Sequence, residues 1–302
     1  MPIELALHSD RFFMAAVGVY VLAMLLHGAE YAVRRSPKAV LVGAAGPVDE
    51  APAGRGRTER YGRMGVALVV LGAVLHGVSI VTRGLAAGRW PLGNMYEFTS
   101  AICLAAVVGW LLVLRRSPAA RPVGLFVLLP VVILMFLAGT VLYAQAAPVM
   151  PALQSYWLVV HVTTISLSSG LLLLPGVASL LYLLRRAGRL PALAERLPGA
   201  DVLDRLAYRT TIIAFPLFTF AVIAGAIWAE AAWGRFWGWD PKETVAFVSW
   251  VVYAAYLHAR ATAGWRTGSA AWINVAGFAT VIFNLFFVNM VVAGLHSYAG
   301  LG

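Results

Sequence analysis

The chain has 302 residues, of which 61% are hydrophobic and 12% are charged, and its mean hydropathy is +0.81. Soluble domains are roughly one quarter charged, so this composition excludes an ordinary soluble protein and indicates one that crosses a membrane several times. The net charge of +10 would suit a nucleic-acid-binding protein, but the distribution of the basic residues argues against a nucleic-acid partner.

Eight apolar runs predict an all-α polytopic membrane protein with about eight transmembrane helices. A helix needs about 20 mainly apolar residues to cross the hydrocarbon core. The first run lacks the short apolar core and the small-residue cleavage site of a signal peptide, so we expect it to remain as a span. The predicted spans are 12–33, 64–82, 96–114, 123–144, 158–184, 210–230, 244–260 and 270–294.

The basic residues predict how these spans are oriented. Four connecting segments hold 18 of the 23 Lys and Arg residues, and basic residues concentrate on the cytoplasmic side of membrane proteins. We therefore expect a multi-pass protein of the cytoplasmic (inner) membrane, embedded in lipid, with both termini outside and its functional face periplasmic or extracytoplasmic. The four basic segments are 34–63, 115–121, 185–209 and 260–267.

The distribution of apolar and polar residues predicts a single integral membrane domain over residues 1–302. Segment 34–63 is rich in Gly, Ala, Pro and Arg and is predicted to be a flexible cytoplasmic loop. Segment 185–209 is predicted to be a second cytoplasmic loop with a short amphipathic helix at the membrane surface. Segment 228–243 is predicted to be a loop on the outer face. Because little of the chain lies outside the spans, we expect its function within the bilayer or at that face.

Cysteine usage excludes several kinds of site. Cys103 is the only cysteine, so the chain has no internal disulfide, no CxxC redox or zinc motif and no CxxCH haem-attachment motif. A haem bound by this chain would therefore be held without covalent attachment.

Two histidines are predicted to meet at the outer face. His161 lies near the outer start of the fifth span, and His296 lies at the outer end of the eighth. A lone histidine in a span is more often a packing residue that hydrogen-bonds to a neighbouring helix, but two at one depth are stronger candidates for ligands. Zinc or copper would be expected to recruit further ligands, whereas haem needs only two axial imidazoles. The pair therefore favours bis-histidine haem b.

The segment WGRFWGWDPKE, residues 233–243, lies on the same face as the two histidines. Trp233, Trp237 and Trp239 would supply the flat apolar surface that a porphyrin needs. The simpler interpretation is an interfacial belt of aromatic residues, which suffices for Trp228, Trp250 and Trp265. A belt does not require three tryptophans in seven residues joined by glycines, so we favour a binding surface.

Charged residues follow the tryptophans. Asp240 and Pro241 are predicted to be the cap and first residue of the seventh span, with Glu243 in its first turn. Lys242, Arg235 or backbone N–H groups could face the haem propionates.

Three further histidines lie deeper in the predicted spans. His258 is near the cytoplasmic end of the seventh span, His27 is toward the cytoplasmic end of the first, and His76 is in the outer half of the second. Each is more often a packing residue than a ligand when taken alone.

The segment WGRFWGWDPKE resembles the WWD signature of haem-handling proteins of cytochrome c biogenesis. Its sequence is most similar to that of the CcsA/ResC family of the System II pathway. The segments NMYEF, YLHAR and GLHSYA also match that family, as does an outer histidine before the signature. The resemblance runs from about residue 90 to the C-terminus. The DPKE ending and the placement of the last histidine favour System II over the related WWD proteins of System I.

The resemblance implies the haem-handling and haem-exporting subunit of a cytochrome c synthetase complex. Haem collected from the cytoplasmic side would be presented between His161 and His296, for thioether attachment to the CxxCH of apocytochrome c. No residue of this chain would act as acid, base or nucleophile. A second, intramembrane haem site would use His258, with His27 preferred as its second ligand; His76 or a partner residue remains open.

The resemblance also implies partners. These are a CcsB/ResB-type subunit, apocytochrome c and, indirectly, thiol-reducing proteins. The main alternative function is a bis-histidine haem b subunit that passes electrons to or from quinone, although the WWD segment would then have no evident task. A small-molecule transporter is disfavoured because no matching pair of broken helices is visible.

Overall fold

The structure, a computed structural model, describes residues 2–33, 54–148, 155–188, 191–262, 265, 268–292 and 294–296. Within these residues the regular structure is entirely helical. A 3₁₀ turn (Pro118–Val123) precedes the fourth helix, and a π-helical turn (Asn284–Val288) follows the ninth. The α-helices are α1 (Pro2–Val33), α2 (Gly54–Ala87), α3 (Met95–Arg116), α4 (Gly124–Thr140), α5 (Tyr156–Ala187), α6 (Pro191–Ala194), α7 (Ala200–Trp233), α8 (Pro241–Ala261), α9 (Gly268–Phe283) and α10 (Asn289–Val291).

Each of the eight predicted spans coincides with a helix, so the prediction of an all-α polytopic membrane protein is confirmed. Among the described residues, seven helices are long and apolar enough to cross a membrane. The predicted span 244–260 forms α8, which does not belong to these seven; its sequence contains polar and aromatic residues, such as Ser249, Tyr253 and His258, that lower its hydropathy.

Helices α2, α5, α7 and α8 extend beyond their apolar runs, so the predicted loops next to them are too long. Residues 54–63 begin α2, while 34–53 lie outside the described residues. The predicted loop 185–209 loses its first three residues to α5 and its last ten to α7. In the predicted loop 228–243, only 234–240 connects α7 to α8. Hydropathy indicates where a span leaves the apolar part of the membrane, not where its helix ends. Ala, Arg, Glu and Leu have high helix propensity, so a helix that contains them continues into the polar surroundings.

Close helix packing brings α3, α5, α7, α8 and α9 together. The α1–α2 and α5–α7 pairs pack along much of their length, α3 packs on α5, and α9 packs on both α5 and α8. Small residues permit this approach: a Cβ added to Gly170 on α5 would collide with the carbonyl oxygen of Ile102 on α3. The same helices surround the cleft described next.

Candidate functional site: a cleft between two histidines

A cleft opens at the end of the bundle where α7 is connected to α8. It encloses about 1100 Å³, counting the part that is open to solvent. The walls are mostly apolar, and the lining comes from α3, α5, α7, α8, the π-helical turn, α10 and residues of the connecting segments. The lining residues with the most distinctive chemistry are His161, Trp228, Trp237, Lys242, Asn284 and His296.

His161 reaches the cleft from the second turn of α5. Its Nδ1 lies 2.8 Å from the carbonyl oxygen of Ala221 on α7, so Nδ1–H donates to that oxygen and Nε2 remains available to a ligand. The ring lies close to α7 because residue 225 is glycine: a Cβ there would be 2.7 Å from His161 Cε1. Histidines that ligate metals commonly donate their other N–H to a carbonyl or carboxylate, and His161 has this arrangement.

His296 reaches the same cleft from the segment after α10. Its Nδ1 lies 2.9 Å from Asp240 Oδ1, so its Nε2 is again the free nitrogen. Burial lowers the pKa of His296 below its ordinary value, and so does the Lys242 ammonium, although Asp240 opposes both. The structure therefore brings together the two histidines that the sequence placed at one depth.

Asp240 connects the C-terminal segment to α8. Burial opposes its ionisation, but hydrogen bonds from the Leu295 N–H and the His296 imidazole hold the pKa of Asp240 below its ordinary value. The Leu295 N–H donates to Asp240 Oδ2 at 2.7 Å. The same carboxylate accepts the N–H of Lys242 at 3.1 Å, and Glu243 accepts the Asp240 N–H at 3.1 Å. This capping box, with Pro241 in the first turn, confirms the predicted start of the helix, and such caps stabilise a helix by about 1 kcal/mol.

The three predicted tryptophans occupy different positions. Trp233 packs against His296, with 5.0 Å between ring centroids. Trp237 lines the cleft and packs edge-on against Trp239 at 5.8 Å. Trp239 is 67% exposed and lies outside the cleft lining, and its φ of 57° is uncommon for a residue with a side chain. The segment therefore contributes two of its three indoles to the histidine site.

Trp228 is a site residue that the sequence analysis assigned to an interfacial belt, and that assignment is wrong. It is 2% exposed, stacks on His161 with an interplanar angle of 7°, and packs against His296 with ring centroids 5.9 Å apart. Helical spacing could have found it. Residues 221, 225 and 228 follow the i, i+4, i+7 pattern of one helix face, and the first two of them contact His161.

Lys242 supplies the cleft with a positive charge. Its ammonium donates to Asn289 Oδ1 and lies 5.8 Å from the centroid of the Phe98 ring. Asn284 donates to the Lys242 carbonyl at 3.3 Å. The π-helical turn begins at Asn284 and ends just before Asn289, and such turns often occur at functional sites. Arg235, the other predicted propionate partner, packs against Gly238 instead.

A buried ion cluster holds the connection between α2 and α3 at the rim of the cleft. Glu97 accepts from Arg89 at 2.7 Å, from Arg83 at 3.0 Å and from the Gly93 N–H at 2.7 Å. Asn94 caps α3 by accepting the Glu97 N–H at 2.9 Å. Residues 92–95 thereby line the cleft, which gives a structural role to the NMYEF segment.

The structure does not bring His27 and His258 together. His27 is 2% exposed, contacts Glu30 at 3.3 Å, and lies against Gly65, where a Cβ would be 3.0 Å from His27 Nε2. His258 is exposed on α8. Helix α1 packs mainly on α2 and α4, whereas α8 packs on α7 and α9.

Both nitrogens of His76 face partners within the protein. They lie 2.8 Å from Ser100 Oγ and 3.5 Å from Tyr20 Oη. Across the described residues, no cluster of three or more His, Cys, Asp or Glu residues could hold a bare metal ion.

Comparison with known proteins identifies the family. Residues 92–296 match the model of a family described as cytochrome C assembly protein. The cytochrome c biogenesis protein CcsA of Parasynechococcus marenigrum (strain WH8102) is 35% identical over 271 residues, which cover 76% of this chain and 85% of that protein. The CcsA protein of Guillardia theta is 34% identical over 266 residues, covering 79% of this chain and 86% of that protein.

A solved structure of cytochrome c heme lyase CcmF has a similar fold. It superposes with a TM-score of 0.66 at 17% identity, over 93% of this chain and 46% of that one. The chain thus spans about half of the length of that structure, and the likeness concerns the fold alone. The relatives and the family model together cover most of the chain and include its WWD segment. The chain therefore belongs to the CcsA family of cytochrome c biogenesis proteins.

Proposed function

We propose that this chain binds haem in the cleft, between His161 and His296, and presents it for thioether attachment to the CxxCH of apocytochrome c. The proposal rests on the hydrogen bonds and the positions of the two imidazoles. Each has its Nδ1 engaged by a fixed acceptor, Ala221 or Asp240, and each lines the same cleft. Two such nitrogens suit the two axial positions of a haem iron.

The rest of the cleft fits a haem that is held without covalent bonds. The walls are predominantly apolar, Trp237 adds a flat side chain, and Lys242 provides a cation for a propionate. Haem would supply the vinyl groups to which the client thiols add.

The residues of this chain would contribute by positioning rather than by acid–base chemistry. His161 and His296 would fix the position of the porphyrin, and Asp240 would keep the His296 ring in one orientation. Holding two reactants in the correct geometry can lower a barrier by roughly 7–11 kcal/mol. The client histidine would then replace one of the two imidazoles, which couples attachment to release.

The remaining features of the proposal concern the membrane and the partners. The basic segments support an orientation in which the cleft faces the periplasmic or extracytoplasmic side of the cytoplasmic membrane. A CcsB/ResB-type subunit would hold the apocytochrome, and separate proteins would keep its thiols reduced. The chain would act as the haem-exporting part of the synthetase complex.

An intramembrane haem site would use His258. The exposure of this side chain on α8 and the enclosure of His27 favour the alternative in which a partner residue supplies the second ligand. The pairing of His258 with His27 or His76 stays a prediction.

The test of the outer site uses the full chain, expressed with its partner subunit. His161→Ala and His296→Ala should each abolish or sharply reduce the yield of holocytochrome c and the haem recovered with the purified protein, while leaving the protein in the membrane. His8→Ala is the matched control, because His8 is an exposed residue of α1. Normal maturation by the double variant would refute the proposal. Haem that instead exchanges electrons with quinol would favour the electron-transfer alternative.

A further inference from the structure

Trp228 carries a buried hydrogen-bond donor that no residue described by the structure satisfies. Its side chain is 2% exposed, and its indole Nε1 has no hydrogen-bond partner among the described residues. Leaving a buried donor unpaired is unfavourable, so such a group in a folded protein needs an explanation. The explanation lies in its surroundings.

The position of Trp228 indicates that the missing partner belongs to a ligand. Its ring lines the cleft and contacts both His161 and His296. Two other tryptophans provide a contrast. The Trp250 N–H is satisfied by Thr219 Oγ1 at 2.9 Å. The Trp110 N–H is also unpaired, but Trp110 packs against His27 and does not line the cleft.

Two of the rings that cover Trp228 lie at the ends of elements, whereas His161, which stacks on it, lies in the second turn of α5. Trp233, at 4.8 Å between ring centroids, is the last residue of α7, and His296 follows α10. Segments at helix ends shift more easily than helix interiors do. A ligand in the cleft would therefore reach the indole edge through a shift at the C-terminal end of α7, which leaves the interior of the helix in place.

The chemistry of the neighbouring groups defines the acceptor. Lys242 shares the cleft with Trp228 and presents an ammonium, which can only donate hydrogen bonds. An indole N–H likewise can only donate. A molecule that satisfies both groups must therefore carry hydrogen-bond acceptors, and the positive charge of the ammonium favours an anionic oxygen such as that of a carboxylate.

We propose that Trp228 is a haem-binding residue whose indole N–H donates to a propionate carboxylate, while its ring holds the two histidines in place. The inference rests on the proposed function, because it assumes that haem occupies the cleft. It extends the binding surface beyond the tryptophans of the WWD signature to a residue inside α7.

The experiment measures haem affinity rather than maturation. Ferric protoporphyrin IX and its dimethyl ester are titrated spectroscopically into the purified, haem-depleted full chain, in wild-type form and as Trp228→Phe. A hydrogen bond from a neutral donor to a charged acceptor predicts that Trp228→Phe weakens haem binding by roughly 10- to 100-fold. With the ester, which has lost the charge, the same substitution should change affinity by much less.

The matched control is Trp250→Phe, which also deletes an indole N–H, but one that bonds within the protein. It should leave both affinities unchanged. Equal losses for Trp228→Phe with haem and with the ester, or no loss with either, would overturn the role of the N–H. Failure of the wild-type chain to bind haem at all would instead overturn the proposed function.

Discussion

Gly225 on α7 leaves the space in which the His161 imidazole lies. A Cβ built on Gly225 would be 2.7 Å from His161 Cε1 and 2.8 Å from Nδ1, whereas favourable carbon contacts are about 3.5–4.0 Å. Gly225→Ala must therefore move the ring by roughly 1 Å. That shift would also disturb the 2.8 Å hydrogen bond from Nδ1 to the Ala221 carbonyl, which fixes the ring orientation.

The effect on folding should be small and the effect on the site large. Alanine is better than glycine within a helix by about 1 kcal/mol, whereas overpacking costs about 1–3 kcal/mol, so the two partly cancel. A misplacement of about 1 Å at a reacting site can cost about 100-fold in rate. We therefore expect Gly225→Ala to accumulate in the membrane normally while its holocytochrome c yield falls toward that of His161→Ala.

The assay compares this variant with a glycine that has free space around it. Gly18 lies within α1, and among the described residues no side chain beyond its immediate chain neighbours and no other helix lies within 4 Å of the position of an added Cβ, so Gly18→Ala tests the change in helix propensity alone. Membrane abundance, bound haem and holocytochrome c are measured for both. If Gly225→Ala retained haem and matured cytochrome c as well as Gly18→Ala does, the close approach of His161 to α7 would not control the site.

Three other substitutions test separate parts of the account. Asp240→Asn keeps an oxygen that accepts from His296 but removes the negative charge. Haem affinity should therefore fall by roughly 10- to 100-fold, as it does when other hydrogen-bond partners of metal-ligating histidines are changed. An unchanged affinity in a haem titration would contradict this expectation. Glu97→Gln breaks a buried ion cluster and should destabilise the detergent-solubilised protein by about 3 kcal/mol, measured by thermal unfolding. Glu59→Gln changes a largely exposed side chain and should have little effect. Equal losses of stability in the two variants would show that burial of the ion cluster does not matter. His258→Ala should reduce the haem that reaches the outer site, and added imidazole should partly restore it; the absence of both effects would argue against an intramembrane site.

The helices were predictable because apolar runs of sufficient length report directly on membrane crossing. Their ends were not, since α2 and α7 continue through polar residues that hydropathy assigns to loops. The cap at Asp240 was predictable because its signal is local: an acidic residue, then Pro241, then Glu243. The depth of His161 and His296 could be inferred from the spans, but the acceptors of their Nδ1 atoms could not.

Long-range contacts account for what was missed. Asp240 and His296 are separated by 56 positions, and Lys242 and Asn289 by 47, so no local pattern connects them. Trp228 was missed because a tryptophan near a span end usually belongs to the interfacial belt. The depth of His27 could be inferred from its span, but no local pattern shows that its helix packs on α2 and α4.

Two imidazoles, from α5 and from the segment after α10, are proposed to ligate one haem iron. The most direct measurement is the electron paramagnetic resonance spectrum of ferric haem in the purified protein, recorded in a His258→Ala background so that the outer site is seen alone. Ligation by both imidazoles predicts a low-spin bis-histidine signal that is lost or becomes high-spin in His161→Ala and in His296→Ala. The same low-spin signal persisting in both variants would contradict it.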